Sequence, residues 1–179
     1  LSHPEIYSGQ SIPSATVTRL HVLSELSNPD FRTDQVARLI ARDSALSYRL
    51  LRYINSAAFN RGNKIKSLRH AITLLGAGPL RQWLMVALLM DKNAGANQEE
   101  TLFRATQRGR FLELLGGELP GSGHDPESLF MLGLFSNLDI LLKLPMERIL
   151  AEMSLDIELE DALTGKPSPL RPWLQVAVL

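Results

Sequence analysis

Asp43-Ser44-Ala45-Leu46-Ser47-Tyr48-Arg49-Leu50-Leu51-Arg52-Tyr53-Ile54-Asn55-Ser56-Ala57-Ala58-Phe59 is the stretch whose reading decides the fold. Leu46, Leu50, Ile54 and Ala57 recur at helical spacing and Leu51 and Ala58 widen the stripe, so the segment reads as an amphipathic helix with one core face. Arg49 and Arg52 fall off that face. The same period continues on either side. Val36, Leu39 and Ile40 mark a helix before it, then Leu68, Ala71, Ile72 and Leu75, and then Leu80, Trp83, Leu84, Ala87 and Leu88, mark two helices after it.

Further out, Val17, Leu20, Leu23 and Leu26 mark a first helix that starts near Pro13 and ends near Asn28-Pro29. Thr33, Ser44 and Ser67 are expected N-caps, because each precedes an apolar run and can accept from a free amide of the first turn. Gly76 is expected to stop one helix, with Pro79 in the first turn of the next. Beyond a loop at Asp91 to Gln98, a helix is expected from Glu99 to Gly116-Gly117. Asp125 and Pro126 then start a run through Leu129, Phe130, Leu132, Gly133, Phe135, Leu138, Leu141 and Leu142. That run is apolar nearly all round, which predicts a central buried helix. Short helices are expected at Pro145 to Met153, Ile157 to Leu163 and Leu170 to Leu179. No strand-like alternation and no internal repeat occurs, so the fold class is all-α, a compact multi-helix bundle.

The chain of 179 residues is long enough to bury a core without staples. It holds no cysteine, which excludes a disulfide framework, a thiolate zinc site and a cysteine nucleophile. No apolar run approaches the roughly 18 to 20 residues of a membrane span, so no membrane role is expected, and the lack of cysteine leans toward a cytoplasmic location. Residues 1 to 12 read as a linker from an upstream domain, and 13 to 179 as one domain with helical layers at about 13 to 90 and 99 to 165.

The balanced charge hides an asymmetry: residues 1 to 90 carry 11 Lys and Arg against 5 Asp and Glu, and residues 91 to 179 carry 8 against 14. Most of the excess lies between Arg32 and Arg81. Arg49, Arg52, Arg61, Lys64, Lys66 and Arg69 form the candidate interaction surface, since guanidinium and ammonium groups meet phosphates or acidic protein surfaces. The competing reading is a solvated helical face balanced by the acidic half. A neutral total argues against a dedicated nucleic-acid binder.

Catalysis has no evident carrier. His124-Asp125 has the composition of a metal-ligating pair, but an Asp ahead of a first-turn proline is first a helix cap. His3, His21 and His70 are too scattered to complete a four-ligand set. There is no Gly-x-Ser-x-Gly elbow, and Gly116-Gly117 lacks the Lys-Ser/Thr of a phosphate loop. Asn55, with Ser56 beside it, is assigned a structural role, fixing the end of its helix against neighbouring backbone.

Val36 to Ser47, with its Asp-x-x-Leu-Ser ending, then Asn55-Ser56-Ala57-Ala58-Phe59, and Ile65 to Gly76, with Ile-x-Ser-Leu-Arg-x-Ala-Ile-x-Leu-Leu-Gly, together resemble the HDOD family, the metal-dependent hydrolase-related output domain, over about residues 12 to 165. The resemblance implies a bundle related to the HD-domain fold and a non-catalytic bacterial signalling module. Where active HD hydrolases carry Gly-Leu-Leu-His-Asp, this chain has Gly133-Leu134-Phe135-Ser136-Asn137. Ser136 and Asn137 therefore mark a degenerate HD position that supplies neither imidazole nor carboxylate, and the earlier metal histidine would fall near Ala105 or Thr106. The expectation is no catalytic residue, no metal and no cofactor, with a surviving HD-type phosphohydrolase or a nucleotide-binding module as alternatives. Residues 3 to 12, 104 to 113 and 129 to 136 resemble proteins that join an EAL-type cyclic di-GMP domain to a C-terminal HDOD domain. This implies an attached EAL or other signalling domain, a protein partner or a homodimer, with any EAL phosphodiesterase activity outside this chain.

Overall fold

The structure, a computed structural model, describes residues 11–28, 30, 32–56, 65–90, 95–119 and 123–177. Among these residues there are eleven helices and no strand, the all-α architecture expected from the periodicity. The chain divides into two compact units, one of Asp30–Ala87 and one of Leu1–Pro29 together with Leu88–Leu179. The expected linker over residues 1 to 12 falls almost wholly outside the described residues.

The inserted unit holds α2 (Thr33–Arg42), α3 (Ser44–Ile54), α4 (Leu68–Leu75) and most of α5 (Ala77–Leu89). Its core is Val36 and Ile40 from α2, Leu50 and Ile54 from α3, Ala71 from α4, and Leu80, Leu84 and Met85 from α5. The caps differ from expectation by one residue. Asp43, not Ser44, closes the start of α3, its Oδ1 accepting from the amides of Ala45 at 2.8 Å and Leu46 at 3.1 Å. A carboxylate accepts two amides more strongly than one hydroxyl does, so Ser44 becomes the first helical residue. Likewise Thr33 opens α2, and the N–H of Arg32 ahead of it donates to Gln35 Oε1 at 3.2 Å. Ser67 does cap α4. Gly76 then adopts φ 80° and ψ 175°, a conformation open to glycine, and the chain bends by 113° between α4 and α5.

The second unit contains α1 (Ser14–Ser27), α6 (Ala96–Glu118), α7 (Pro126–Phe135), α8 (Leu138–Leu142), α9 (Met146–Ala151), α10 (Ile157–Thr164) and α11 (Arg171–Val176). Although α1 stands first in the chain, it clusters with these helices. Leu20, Leu23 and Leu26 are fully buried, each burial contributing about 1.5–3 kcal/mol. Ser24 is joined to Ser154, its Oγ accepting from the Ser154 amide at 2.8 Å and donating to the Ser154 carbonyl at 3.4 Å.

At the centre lies α7, buried from Leu129 to Phe135, against α6. Their backbones approach where two glycines meet: a Cβ on Gly109 would stand 2.6 Å from the Phe130 carbonyl oxygen, and one on Gly133 would stand 2.7 Å from the Arg108 carbonyl carbon. Glycine also explains why α6 runs past its expected stop. Gly116 is buried against Leu129 and serves the helix contact instead of ending the helix.

No single helix among the described residues is long and apolar enough to cross a membrane; the bent pair α4 and α5 reaches that composition only when the two are taken together.

Candidate functional site

The apolar run expected as one helix is broken in two, and the break falls on Ser136 and Asn137 between α7 and α8. Ser136 Oγ donates to the Gly133 carbonyl at 2.7 Å, a side-chain bond that competes with continuation of the helix. Asn137 adopts φ −125° and ψ 21°, outside helical geometry.

Arg108, from the middle of α6, reaches this corner. Its Nη1 donates to Ser136 Oγ at 2.6 Å and to Asn137 Oδ1 at 2.9 Å, and its Nε donates to the Ala177 carbonyl at 3.3 Å, just past α11. One half-buried guanidinium thus joins the α7–α8 corner to the end of α11. Ser136 and Asn137 offer neutral oxygens, and a cationic donor already occupies both. The positions that would carry an earlier histidine, Ala105 and Thr106, lie within a turn of Arg108 on the same helix. Ala105 is buried, and Thr106 Oγ1 donates to the Leu102 carbonyl at 2.8 Å.

Sequence reasoning missed Arg108, because it sits among Arg104 and Arg110 and reads as part of a solvated charge run. The available signal was its place beside Gly109 on the face that also carries Ala105 and Leu112, all of them buried.

His124 and Asp125 lie at the other end of α7. Asp125 Oδ2 accepts from the Ser128 amide at 2.9 Å and hydroxyl at 3.2 Å, with Pro126 at the first helical position. The His124 ring packs edge-on against Trp173, with centroids 5.9 Å apart. Both side chains are thereby engaged in packing and capping. Among the described residues, no group of three or more His, Asp or Glu is placed to hold a metal ion.

The candidate interaction residues fall in the inserted unit. Arg49 is half-buried and Arg52 exposed on α3, while Lys66 and Arg69 are exposed at the start of α4; Arg61 and Lys64 lie outside the described residues. Ion pairs tie Asp34 to Arg32 and Arg38, both at 3.0 Å. Among the described residues Arg49, Arg52, Lys66 and Arg69 take part in none of the ion pairs. Tyr48 and Tyr53 are exposed on the same helix, and the Tyr53 ring lies 6.3 Å from that of Trp83.

Asn55 ties this unit together. Its Nδ2 donates to the carbonyls of Leu51 at 2.8 Å and Ile65 at 2.7 Å, and its Oδ1 accepts from the Ile65 amide at 2.8 Å. Both backbone groups of Ile65 thus depend on one side chain, whereas Ser56 is exposed beside it. Asn55→Ala should destabilise the chain by about 1–2 kcal/mol, because partners are left unpaired, and urea unfolding should show a lower midpoint at unchanged slope.

Comparison with known proteins places this geometry. The HDOD domain model matches residues 12–161. Among curated relatives, the uncharacterized protein YuxH of Bacillus subtilis (strain 168) is 29% identical over 180 residues, which covers 99% of this chain and 44% of that protein. The cyclic di-GMP phosphodiesterase CdgJ of Vibrio cholerae is 30% identical over 176 residues, 98% of this chain and 40% of CdgJ. The chain therefore spans less than half the length of these relatives. A crystal structure of an HDOD domain protein of unknown function from Geobacter sulfurreducens matches with a TM-score of 0.52 and 19% identity, over 96% of this chain and 60% of that one. With the family model covering most of its length and the same helical fold found in a solved member, this chain belongs to the HDOD domain family.

Proposed function

We propose that this chain is a non-catalytic bacterial signalling domain that acts through protein–protein contact in a cyclic di-GMP setting, and that any phosphodiesterase activity of a larger protein lies outside it. The carrying observation is the Arg108 guanidinium, held at 2.6 Å and 2.9 Å from the oxygens of Ser136 and Asn137. A divalent cation of an HD-type centre needs imidazole and carboxylate donors at that corner. Here the donors are neutral, and a positive group in contact with them repels a second cation. The name of CdgJ supports the cyclic di-GMP setting.

The contact surface is the set Arg49, Arg52, Lys66 and Arg69, which form no ion pair among the described residues and suit an acidic protein face. Cations that give up no ion pair among the described residues keep their charge available for an acidic partner.

The test is elemental analysis of the purified chain beside a cyclic di-GMP hydrolysis assay with magnesium and manganese. The expected result is substoichiometric metal and no turnover. Stoichiometric divalent metal, lost together with hydrolysis in His124→Ala, overturns the proposal. Calorimetric titration with cyclic di-GMP should give no saturable heat, and saturable binding abolished by Arg49→Glu would move the basic face from protein contact to nucleotide binding.

A further inference from the structure

The second unit is pinned firmly as far as Leu170 and lightly beyond it. Leu170 is buried, and Ser168 fastens the segment ahead of it: its Oγ donates to the Glu158 carbonyl at 2.6 Å and accepts from the Leu170 amide at 3.2 Å. The Arg171 guanidinium braces the same base by donating to the Gly165 carbonyl. From Arg171 to Val176, by contrast, α11 buries no residue, and Val176 is 54% exposed. A helix of six residues is not stable by itself in water, so contacts with its neighbours keep α11 in place.

Trp173 supplies one of these contacts. Its ring packs edge-on against His124, with centroids 5.9 Å apart, and reaches toward the notch that the missing side chain of Gly116 leaves in α6. Arg108 supplies another, through the bond from its Nε to the Ala177 carbonyl, which at 3.3 Å is longer than the ordinary N–H···O range. The same guanidinium holds Ser136 Oγ and Asn137 Oδ1 by the shorter bonds of its Nη1, 2.6 Å and 2.9 Å.

We infer that α11 is a latch: it lifts as one piece about a hinge at Leu170 and Arg171 while the helices beneath it stay folded, and Arg108 makes its position depend on the α7–α8 corner. Opening costs little, because α11 gives up no fully buried side chain, whereas α7 must give up every residue from Leu129 to Phe135. Segments with few buried contacts open first. The coupling follows from the shape of the guanidinium. It is a rigid planar fork, so the bonds that fix Nη1 at the corner also aim Nε at Ala177, and a change that turns one turns the other. Docked and lifted α11 are thus two arrangements of one element, biased from the corner as well as from its own contacts. Lifting withdraws Trp173 from the notch at Gly116, beside Leu129. This device gives the proposed signalling domain a moving part at the degenerate HD position, and it rests on that reading only for its purpose.

Hydrogen exchange of the full chain, followed by NMR at rising urea below the unfolding transition, tests the latch. The Trp173 and Ala177 amides, which bond within α11 and its base, should exchange at a rate that urea barely changes. The Leu132 amide in α7 should follow the steep slope of global unfolding. Arg108→Met should speed exchange in α11 about tenfold, as loss of one charge-assisted bond implies. Ser136→Ala, joined to α11 through Arg108, should speed it about threefold. Trp173→Ala should bring the α11 amides to the rate of an unfolded peptide while Leu132 stays protected. An equal urea slope for α11 and α7, no response of α11 to Ser136→Ala, or loss of Leu132 protection in Trp173→Ala overturns the inference. An α11 that exchanges only with the whole unit, in a chain free of metal and turnover, removes the latch and leaves the proposed function standing; local opening in a chain that hydrolyses cyclic di-GMP does the reverse.

Discussion

Gly133→Val is expected to lower the thermal unfolding midpoint by about 6–12 °C. A Cβ at that position meets the backbone of α6 at Gly109 and at the Arg108 carbonyl carbon. Backbone atoms cannot rotate aside as a side chain does, so the two helices must separate, and α7 is buried without interruption from Leu129 to Phe135. Overpacking of this kind costs about 3 kcal/mol, and in a protein of this size each kcal/mol shifts the midpoint by about 2–4 °C. Gly117→Ala is the matched control. Nothing lies within 4 Å of its added methyl, and alanine in a helix should stabilise by roughly 0.5–1 kcal/mol. Circular dichroism melts of the two variants should move in opposite directions; a Gly133→Val melt that coincides with the parent refutes the close crossing.

Arg108→Met is expected to destabilise by about 2–3 kcal/mol while keeping the apolar stem of the side chain. It removes two bonds from a charged donor to Ser136 and Asn137 and the bond to the Ala177 carbonyl. Bonds to charged groups contribute about 1.5–3 kcal/mol each when shielded, and half-burial holds the total to the lower end. Arg108→Lys should recover less than half of the loss, because an ammonium lacks the planar fork that fits this geometry. A double-mutant cycle with Ser136→Ala should give a coupling above about 0.5 kcal/mol. Additive losses in that cycle would show that the guanidinium and the hydroxyl do not act together.

The basic arginine cluster and this half-buried corner were legible in the sequence to different degrees. Helical period alone identified the buried faces of α1 and α7, since three leucines at 20, 23 and 26 or the apolar run of residues 129 to 135 have few other resting places; of the stripe expected on α3, Leu50 and Ile54 are buried, Leu46 and Leu51 half-buried, and Ala57 and Ala58 lie outside the described residues. The break after Phe135 was not visible, because Leu138 and Leu141 continue the apolar run and the polar pair between them is stabilised by a residue 28 positions earlier. Gly116-Gly117 misled for a related reason: glycine is a stop signal in local terms, but here a neighbouring helix needs its missing side chain. Ser136 and Asn137 could be singled out only through family resemblance, and their partner Arg108 only through the fold. The positive charge of α3 and α4 was plain from composition, whereas the absence of ion pairs at Arg49, Arg52, Lys66 and Arg69 among the described residues required three dimensions.

The staple between Ser24 and Ser154 spans 130 positions, and this sets an order of events during synthesis. Within this domain α1 is translated before the other helices, but Ser154, the residue that staples it, is translated 130 positions later than Ser24. The inserted unit has all its own helices in hand long before then and can close early, since local contacts form before distant ones. Until the later helices of its unit are made, Leu20, Leu23 and Leu26, which are fully buried in the folded domain, lack that cover, so α1 is the segment of this domain that holding chaperones would grip.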